Sequence, residues 1–326
     1  MSIGELIRLL SDGHYHSGQQ LGERLGVSRT AVWKQLKKLE AMDLALEAVK
    51  GRGYRLADPI ESLDGAAIVS SLPAAPRRHL SRLFIEDQLD STSTFLRERF
   101  RQGAGHAEVC LAESQTAGRG RRGKAWSTSW GRSLIFSLGW RFEGGVAALE
   151  GLSLAVGVVM AEMLEAFGAE VALKWPNDLL LSVDGEWRKL AGILLEVTGD
   201  VEGPCEVVIG IGLNVALSEA GRAAAGQPAG ALADVLQPVP SRNQLAARLI
   251  DALLSLLPAF EREGFVAWQA AWNQRHAYRD RRIRVHQGRQ SFAGEAKDVD
   301  ASGNLQVATE SGIQALAGGE ISIRPE

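Results

Sequence analysis

The stretch Gly118-Arg119-Gly120-Arg121-Arg122-Gly123 concentrates more chemistry than any other in this sequence. Its three glycines let the backbone approach a ligand closely and present its N–H groups. Its three arginines add permanent positive charge and forked donors matched to carboxylate and phosphate. The combination suits an anionic ligand, on a loop that can move when empty. It is not a Walker loop, because the Gly-Lys-Ser/Thr ending is missing. A solvated surface loop or a nucleic-acid contact would use the same residues, so the neighbouring strings carry the decision. These are Asp90-Ser91-Thr92-Ser93, Glu113-Ser114-Gln115-Thr116, Lys174-Trp175-Pro176-Asn177-Asp178, Arg188-Lys189-Leu190-Ala191-Gly192 and Gly210-Ile211-Gly212-Leu213-Asn214. Each also has a purely local reading. Ser91 to Ser93 can cap the helix through Phe95 and Phe100, and Asn177-Asp178 after Pro176 is ordinary turn chemistry. Lys189 can be solvated, and Gln115 and Asn214 can be loop residues. The Gly-x-Gly at 210–212 lacks the third glycine and following helix of a dinucleotide fingerprint.

The elements that would position these strings form a mixed pattern from about residue 65 to 275. Strands are expected at Val109 to Ala112, Leu134 to Leu138, Val171 to Leu173, Gly192 to Val197 and Val207 to Ile211. Helices are expected at Leu149 to Phe167 and Arg242 to Glu263. This is an α+β domain large enough to hold a small-molecule site. Pro73-Ala74-Ala75-Pro76 reads as irregular. Over the last fifty residues, short alternating runs at 282–286, 292–296, 304–308 and 320–324 are punctuated by Gly288, Gly303, Gly312 and Gly318-Gly319. They predict a small SH3-like β-barrel.

The N-terminal segment reads as three short helices and a hairpin. Ile3, Leu6, Ile7 and Leu10 share one helical face. Ser17 with Gln20 has capping-box spacing, opening a helix that ends at Gly26. Ser28 then caps a third helix with Val32, Leu36 and Leu39 on its buried side. Helix, Gly-containing turn and helix over residues 19–38 make a helix-turn-helix. Its exposed side offers Arg29, Thr30, Trp33, Lys34, Lys37 and Lys38, able to neutralise phosphates and reach base edges. Lys50-Gly51-Arg52-Gly53 gives the following hairpin a basic tip, so that Arg52 can contact DNA backbone as a wing. A small helical domain used for protein contacts is the competing reading, and the two basic features together favour DNA.

The whole chain agrees with that division. Residues 1–56 hold nine Lys and Arg against six acids, a basic head of +3 on a remainder of −6 within a net charge of −3. The 326 residues allow about two domains and a small third. No uncharged apolar run reaches the ~18 residues of a membrane span. The start has no signal-peptide pattern. Cys110 and Cys205 are too few for a disulfide framework or zinc site, and no metal-ligand set is expected. The expectation is a cytoplasmic protein with both thiols free and no membrane partner.

Taken in this order, the Gly-Arg loop, the Lys-Trp-Pro-Asn-Asp string and the helix-turn-helix resemble the bacterial bifunctional biotin–protein ligases that also repress the biotin operon. The resemblance spans essentially the full length, to Gly318-Gly319-Glu320-Ile321-Ser322. It implies a winged helix-turn-helix at 1–62, a central mixed-sheet, class II synthetase-like catalytic domain at 63–276, and an SH3-like module at 277–326. The implied reaction joins biotin to ATP as biotinyl-5′-adenylate, then transfers biotin to a lysine of a biotin carboxyl carrier protein. ATP and biotin are the implied substrates, and Mg²⁺ is implied with the nucleotide. The implied partners are that carrier protein, operator DNA and, when adenylate is bound, a second copy of the chain.

By the same resemblance Ser91, Thr92, Ser93, Gln115, Arg119, Gly120, Arg121 and Lys189 contact biotin. Arg119, Arg121, Arg122, Lys189 and Asn214 contact ATP or the adenylate, with Asn214 set for adenine. Arg119, Arg121 and Lys189 stabilise charge on the phosphate, and Asp178 orients the acceptor lysine or assists its proton loss. One departure stands out. Family members often place an aromatic after the Gly-x-Gly-x-Asn motif to cover adenine, but none occurs between Asn214 and Phe260. Two rivals share many of these features. A lipoate ligase would share the catalytic fold, and a biotin-sensing repressor would bind without transferring. The Gly-Arg loop argues against the first, and Arg121, Lys189 and Asp178 together argue against the second.

Overall fold

The computed structural model describes residues 2–126, 128–200, 202–288, 290–318 and 321–325. Helices α1 (Ile3–Leu10), α2 (Gly18–Leu25) and α3 (Arg29–Ala41) precede the hairpin β1 (Leu46–Val49) and β2 (Gly53–Leu56). The capping logic read from the sequence is present. Ser17 and Gln20 form the reciprocal box, Gly26 ends α2 in the left-handed region at φ 66°, and the Ser28 side chain accepts from Ala31 N–H. Leu6, Ile7, Leu10, Leu21, Val32, Leu36 and Leu39 close a core of their own.

Short helices α4 (Gly65–Ser70) and α5 (Ala74–His79) lead into β3 (Arg82–Leu89), α6 (Thr92–Arg101), β4 (Glu108–Gln115) and β5 (Ser133–Phe142). The expected irregular stretch at 73–76 is therefore corrected. Pro76 falls in the first turn of α5, where its missing N–H costs no helical bond. Next come α7 (Leu152–Glu165), β6 (Val171–Lys174), β7 (Asp178–Val183), β8 (Glu186–Gly199), β9 (Cys205–Asn214), α8 (Glu219–Ala224), α9 (Arg242–Glu263) and α10 (Val266–Gln274). The last module is β10 (Arg282–Gln287), β11 (Gln290–Val299), β12 (Leu305–Thr309), β13 (Gly312–Leu316) and β14 (Ile321–Pro325). β13 went unread because it is an exposed edge strand with little alternation. Gly319 and Glu320 of the C-terminal string lie outside the described residues.

The central sheet runs β3-β4-β5-β9-β8-β7-β6, parallel at β3–β4 and antiparallel elsewhere. The C-terminal module is a five-stranded antiparallel sheet ordered β13-β12-β11-β10-β14. The α+β class and the three-part plan are borne out. Residues 146–165 are long and apolar enough to cross a membrane, but more than half of that stretch is buried in the protein. α7 within it is the central core helix, packed beside α9 and α10 with Leu152, Val156, Met160 and Leu164 inside.

Two-residue periodicity decides where a ligand can sit. Val208 packs with Leu96 and Phe100 of α6, so Gly210 and Gly212 on the same strand face the same side. α6 covers part of that face, and the two glycines leave the rest bare beside it.

Candidate active site

A cavity of about 650 Å³ opens on this bare face, beneath the Gly-Arg loop. Its floor is glycine by necessity. A Cβ at Gly210 would lie 2.7 Å from Ser93 Oγ, and one at Gly212 only 2.3 Å from the Trp126 ring. Here the Gly-x-Gly serves close approach of side chains across a strand.

One end of the cavity is a network of hydroxyls. The Thr92 N–H and Oγ1 both donate to Gln115 Oε1, at 2.8 and 3.2 Å. Thr92 Oγ1 and Ser93 Oγ each lie within hydrogen-bond distance of Ser137 Oγ, at 2.8 and 3.0 Å. Thr92, Ser93 and Ser137 are buried. Ser91 keeps the local role considered for it, accepting from Thr94 N–H as the cap of α6, and also lines the cavity. Ser137 was missed by sequence reasoning. Its signal was a lone hydroxyl inside the apolar run Leu134 to Leu138.

The other end gathers cations around one carboxylate. Lys189 Nζ donates to Asp178 Oδ1 at 2.6 Å, and Lys174 Nζ lies 3.9 Å from Asp178 Oδ2. β7 and β8 pair with a register shift between Leu179 and Leu180, which sets Lys189 opposite Leu180. Lys174, quoted in the string but given no role, is largely buried, and burial holds its ammonium below the ordinary lysine range. Burial likewise lowers Arg121, which donates to Asn177 Oδ1 at 3.1 Å. Asn177 is fixed in turn by Nδ2 donating to Ile193 O at 2.7 Å and by its carbonyl accepting from Ile193 N–H. Trp175 to Asn177 form the turn joining β6 to β7, so the turn reading and a place in the cavity wall both hold.

The Gly-Arg loop is a small hairpin over this site. Arg119 bridges Ala125, the Gly120 N–H donates to Lys124 O, and the Trp126 N–H donates to Gly118 O. Its arginines diverge. Arg121 points to the cationic end. Arg119 donates to Glu196 Oε2 and Thr94 Oγ1, both at 3.0 Å, and Arg122 donates to Ser322 Oγ of the C-terminal module at 3.3 Å. Asn214 is buried, its amide donating to Gly230 O at 3.0 Å. The segment after it supplies Leu217, Gly221, Ala224 and Pro228 to the wall, with no aromatic. Aromatic surface comes instead from Trp126, Trp187 and Tyr278, which sequence reasoning left out. Lys189 Nζ sits 5.5 Å from the Trp126 ring centre, and the buried Trp126 indole N–H has no acceptor among the described residues. Such a donor can serve a ligand.

All residues assigned to the small-molecule site from the sequence line this one cavity: Ser91, Thr92, Ser93, Gln115, Arg119, Gly120, Arg121, Arg122, Asp178, Lys189 and Asn214. Among the described residues no three His, Cys, Asp or Glu side chains converge as a metal cage.

The nucleic-acid candidates form a separate face. Arg29, Thr30, Trp33, Lys34 and Lys37 are exposed on α3, with Lys37 Nζ 5.1 Å from the centre of the Trp33 ring. Arg52 is exposed at the hairpin tip, 4.5 Å over the Tyr15 ring.

Comparison with known proteins follows the same three parts. The family model described as "Biotin/lipoate A/B protein ligase family" matches residues 85–214, "HTH domain" matches 5–55, and "Biotin protein ligase C terminal domain" matches 280–324. The chain is 39% identical to the Bifunctional ligase/repressor BirA of Salmonella typhimurium, across 98% of this chain and 96% of that one. Its identity to the protein of the same name from Escherichia coli is 37%, with the same coverage. Among solved structures it is similar to the biotin protein ligase from Aquifex aeolicus in complex with biotin and ATP. There the TM-score is 0.64 at 25% identity, over 76% of this chain and 100% of that one.

Proposed function

This chain belongs to the biotin and lipoate protein ligase family, and from that premise we propose how its residues divide the work. The protein is an ATP-dependent biotin–protein ligase and a DNA-binding repressor, acting on a biotin carboxyl carrier protein and on operator DNA. One observation carries the residue assignment: the buried hydroxyls and the Arg121, Lys174, Lys189 and Asp178 cluster line a single cavity.

Biotin's ureido group has two N–H donors and one carbonyl acceptor, and hydroxyls and an amide can satisfy both kinds. Ser91, Thr92, Ser93, Ser137 and Gln115 are assigned to it. That places biotin's carboxylate toward Lys189 and Arg121, where ATP's α-phosphate must also come. A carboxylate oxygen then attacks the α-phosphorus, its new O–P bond replacing the bond to pyrophosphate. Lys189, Arg121 and Lys174 offset the negative charge that builds on the phosphate oxygens. They act at low water content, where a fixed cation is worth more than in bulk. Among the described residues no carboxylate cage awaits Mg²⁺, so such an ion would travel on the nucleotide's phosphates. Arg119 and Arg122 hold the ends of the Gly-Arg hairpin, and the hairpin shields the mixed anhydride from water. Leu217, Gly221, Ala224 and Asn214 form the wall assigned to the adenine. In transfer, the acceptor's lysine nitrogen attacks the acyl carbon, an amide forms and AMP leaves. Asp178 orients that ammonium and assists its proton loss.

The same proposal divides the chain at 1–62, 63–276 and 277–326. In support, Ile60 packs in the first core and Leu63 in the second, and an irregular stretch separates α10 from β10. It also includes a cytoplasmic location without a membrane partner, and dimerisation when adenylate is bound. A two-fold axis would place two α3 helices on a palindromic operator.

The deciding test incubates the protein with ATP, labelled biotin and a biotin-acceptor domain. Label on the acceptor lysine is expected, and its absence ends the ligase assignment. A lipoate ligase would show lipoate-dependent rather than biotin-dependent pyrophosphate exchange. For the DNA face, Lys34→Ala is expected to weaken promoter binding by about 1 kcal/mol, roughly fivefold, and flatten its salt dependence, while biotin transfer stays unchanged. Loss of both activities together would sink the modular reading.

A further inference from the structure

Asp43 lies just beyond the C-terminus of α3, in the DNA-reading module, yet its carboxylate is spent elsewhere. Its backbone holds φ 64°, in the left-handed region where glycine is the default residue. Asp43 Oδ2 accepts from Ser129 Oγ at 3.2 Å and also from Ser218 Oγ in a short contact.

Both donors sit on segments that build the cavity. Ser129 stands between Trp126, which covers the Gly212 floor, and Trp130, which is buried in the DNA module's core beside Ile60. Ser218 caps α8, whose Gly221 and Ala224 line the cavity together with Leu217 before it. The two segments are also laced to each other. Arg132 O accepts from Val215 N–H at 3.1 Å and Ala216 N–H at 2.8 Å, while its guanidinium pairs with Asp58 Oδ2 at 3.1 Å. Beyond α8, Pro228 O accepts from the backbone N–H of Lys189 at 2.9 Å. One carboxylate therefore closes a ring of contacts running from the end of α3, through the Trp126 segment, to the α8 wall.

We propose that Asp43 is a positioning residue for the ligand cavity, and that through it the placement of α3 and the binding of ATP are coupled. The proposal rests on the ligase–repressor reading, and on the α8 wall being the nucleotide end. Any such coupling is reciprocal: what DNA gains from bound nucleotide, the nucleotide gains from the same contact. Couplings of this kind are typically about 5- to 150-fold, and two hydroxyl contacts place the expectation near the lower end, about tenfold.

The test uses the full-length chain with Asp43→Gly, a substitution that φ 64° accommodates without strain. Calorimetric titration with ATP and with biotin, promoter-DNA binding with and without both ligands, and thermal melting are measured. Three results are expected. ATP affinity falls about tenfold while biotin affinity changes less. The ligand-induced gain in DNA affinity shrinks, and DNA affinity without ligands is kept. Asp43→Asn, which retains one acceptor oxygen, restores part of both effects. The proposal is overturned if Asp43→Gly leaves ATP affinity and the ligand-induced gain at wild-type values. It is equally overturned if all affinities fall together with the melting temperature, since that is a packing contact only. Label transfer by the wild-type protein reads the ligase assignment independently, so the two failures are distinguishable.

Discussion

The two ends of the cavity are built on opposite principles. At the hydroxyl end, Thr92, Ser93, Ser137 and Gln115 already satisfy one another through contacts of 2.8 to 3.2 Å. Their donors and acceptors are neutral and fixed by α6, β4 and β5. At the cationic end, Lys174 and Arg121 are held below their ordinary proton affinities by burial, and Asp178 answers two lysines. A neutral network holds a ligand equally well before and during reaction. A desolvated set of cations gains most when negative charge develops. Under the proposed function, this difference gives recognition to one end and rate to the other.

The sharpest way to break that assignment is Lys189→Met, which keeps most of the apolar stem and removes the charge. Biotin-dependent pyrophosphate exchange is expected to fall by about 10² to 10³ in kcat, the range for losing one preorganised donor to a developing oxyanion. KM for biotin should move far less. A rise in KM with kcat unchanged would make Lys189 a general binding residue and erase the contrast. Arg121→Gln should follow with a smaller effect, about tenfold in exchange rate, or 1.4 kcal/mol, because Lys174 and Lys189 remain. Glutamine is two atoms too short to keep the bond to Asn177 Oδ1, but Arg119 with Glu196 and Arg122 with Ser322 still anchor the loop. If release of free biotin per adenylate formed also rises, the loop's shielding role is measured in the same assay; an unchanged exchange rate would remove Arg121 from the chemistry.

How much of this could be read from residue order also differs between the two ends. Helix starts were legible because caps are local: Ser17 with Gln20, Ser28 and Ser91 behave in the fold as their spacing says. The helix at 242–263 was legible to its ends because Ser241 opens it and Gly264 follows it. The cation cluster announced itself by residue type, since arginines between glycines and a lysine heading an apolar run are conspicuous, although that lysine lies inside β8 rather than before it. The hydroxyl end did not. Ser137 reaches Thr92 and Ser93 only because β5 lies beside β4 in the sheet, a pairing that nothing local in the sequence dictates. The same holds for Trp126, whose place over Gly212 and Gly192 depends on the hairpin folding back onto β8 and β9. Strand β7 was hidden because its apolar run directly follows turn residues, and α8 because its Ala/Gly-rich segment has no apolar stripe. The joint between modules was illegible for the same reason. Asp43 meets Ser129 and Ser218 across 86 and 175 residues.

The subtlest test of the contrast is Ser137→Ala. The hydroxyl is fully buried and is the shared partner of Thr92 Oγ1 and Ser93 Oγ. Alanine fills nearly the same space, so the fold loses little volume. What is lost is the fixed orientation of the two hydroxyls proposed to meet the ureido group, worth about 1 kcal/mol for a neutral hydrogen bond. KM for biotin should therefore rise roughly fivefold, with KM for ATP and kcat unchanged, the signature of uniform binding. Combined with Lys189→Met, the losses should add within about 0.5 kcal/mol, because Ser137 bonds Thr92 and Ser93 while Lys189 bonds Asp178. Strong non-additivity would mean that biotin's seat and the phosphate's cations act as one unit, and the division between recognition and rate would fail at its most sensitive point.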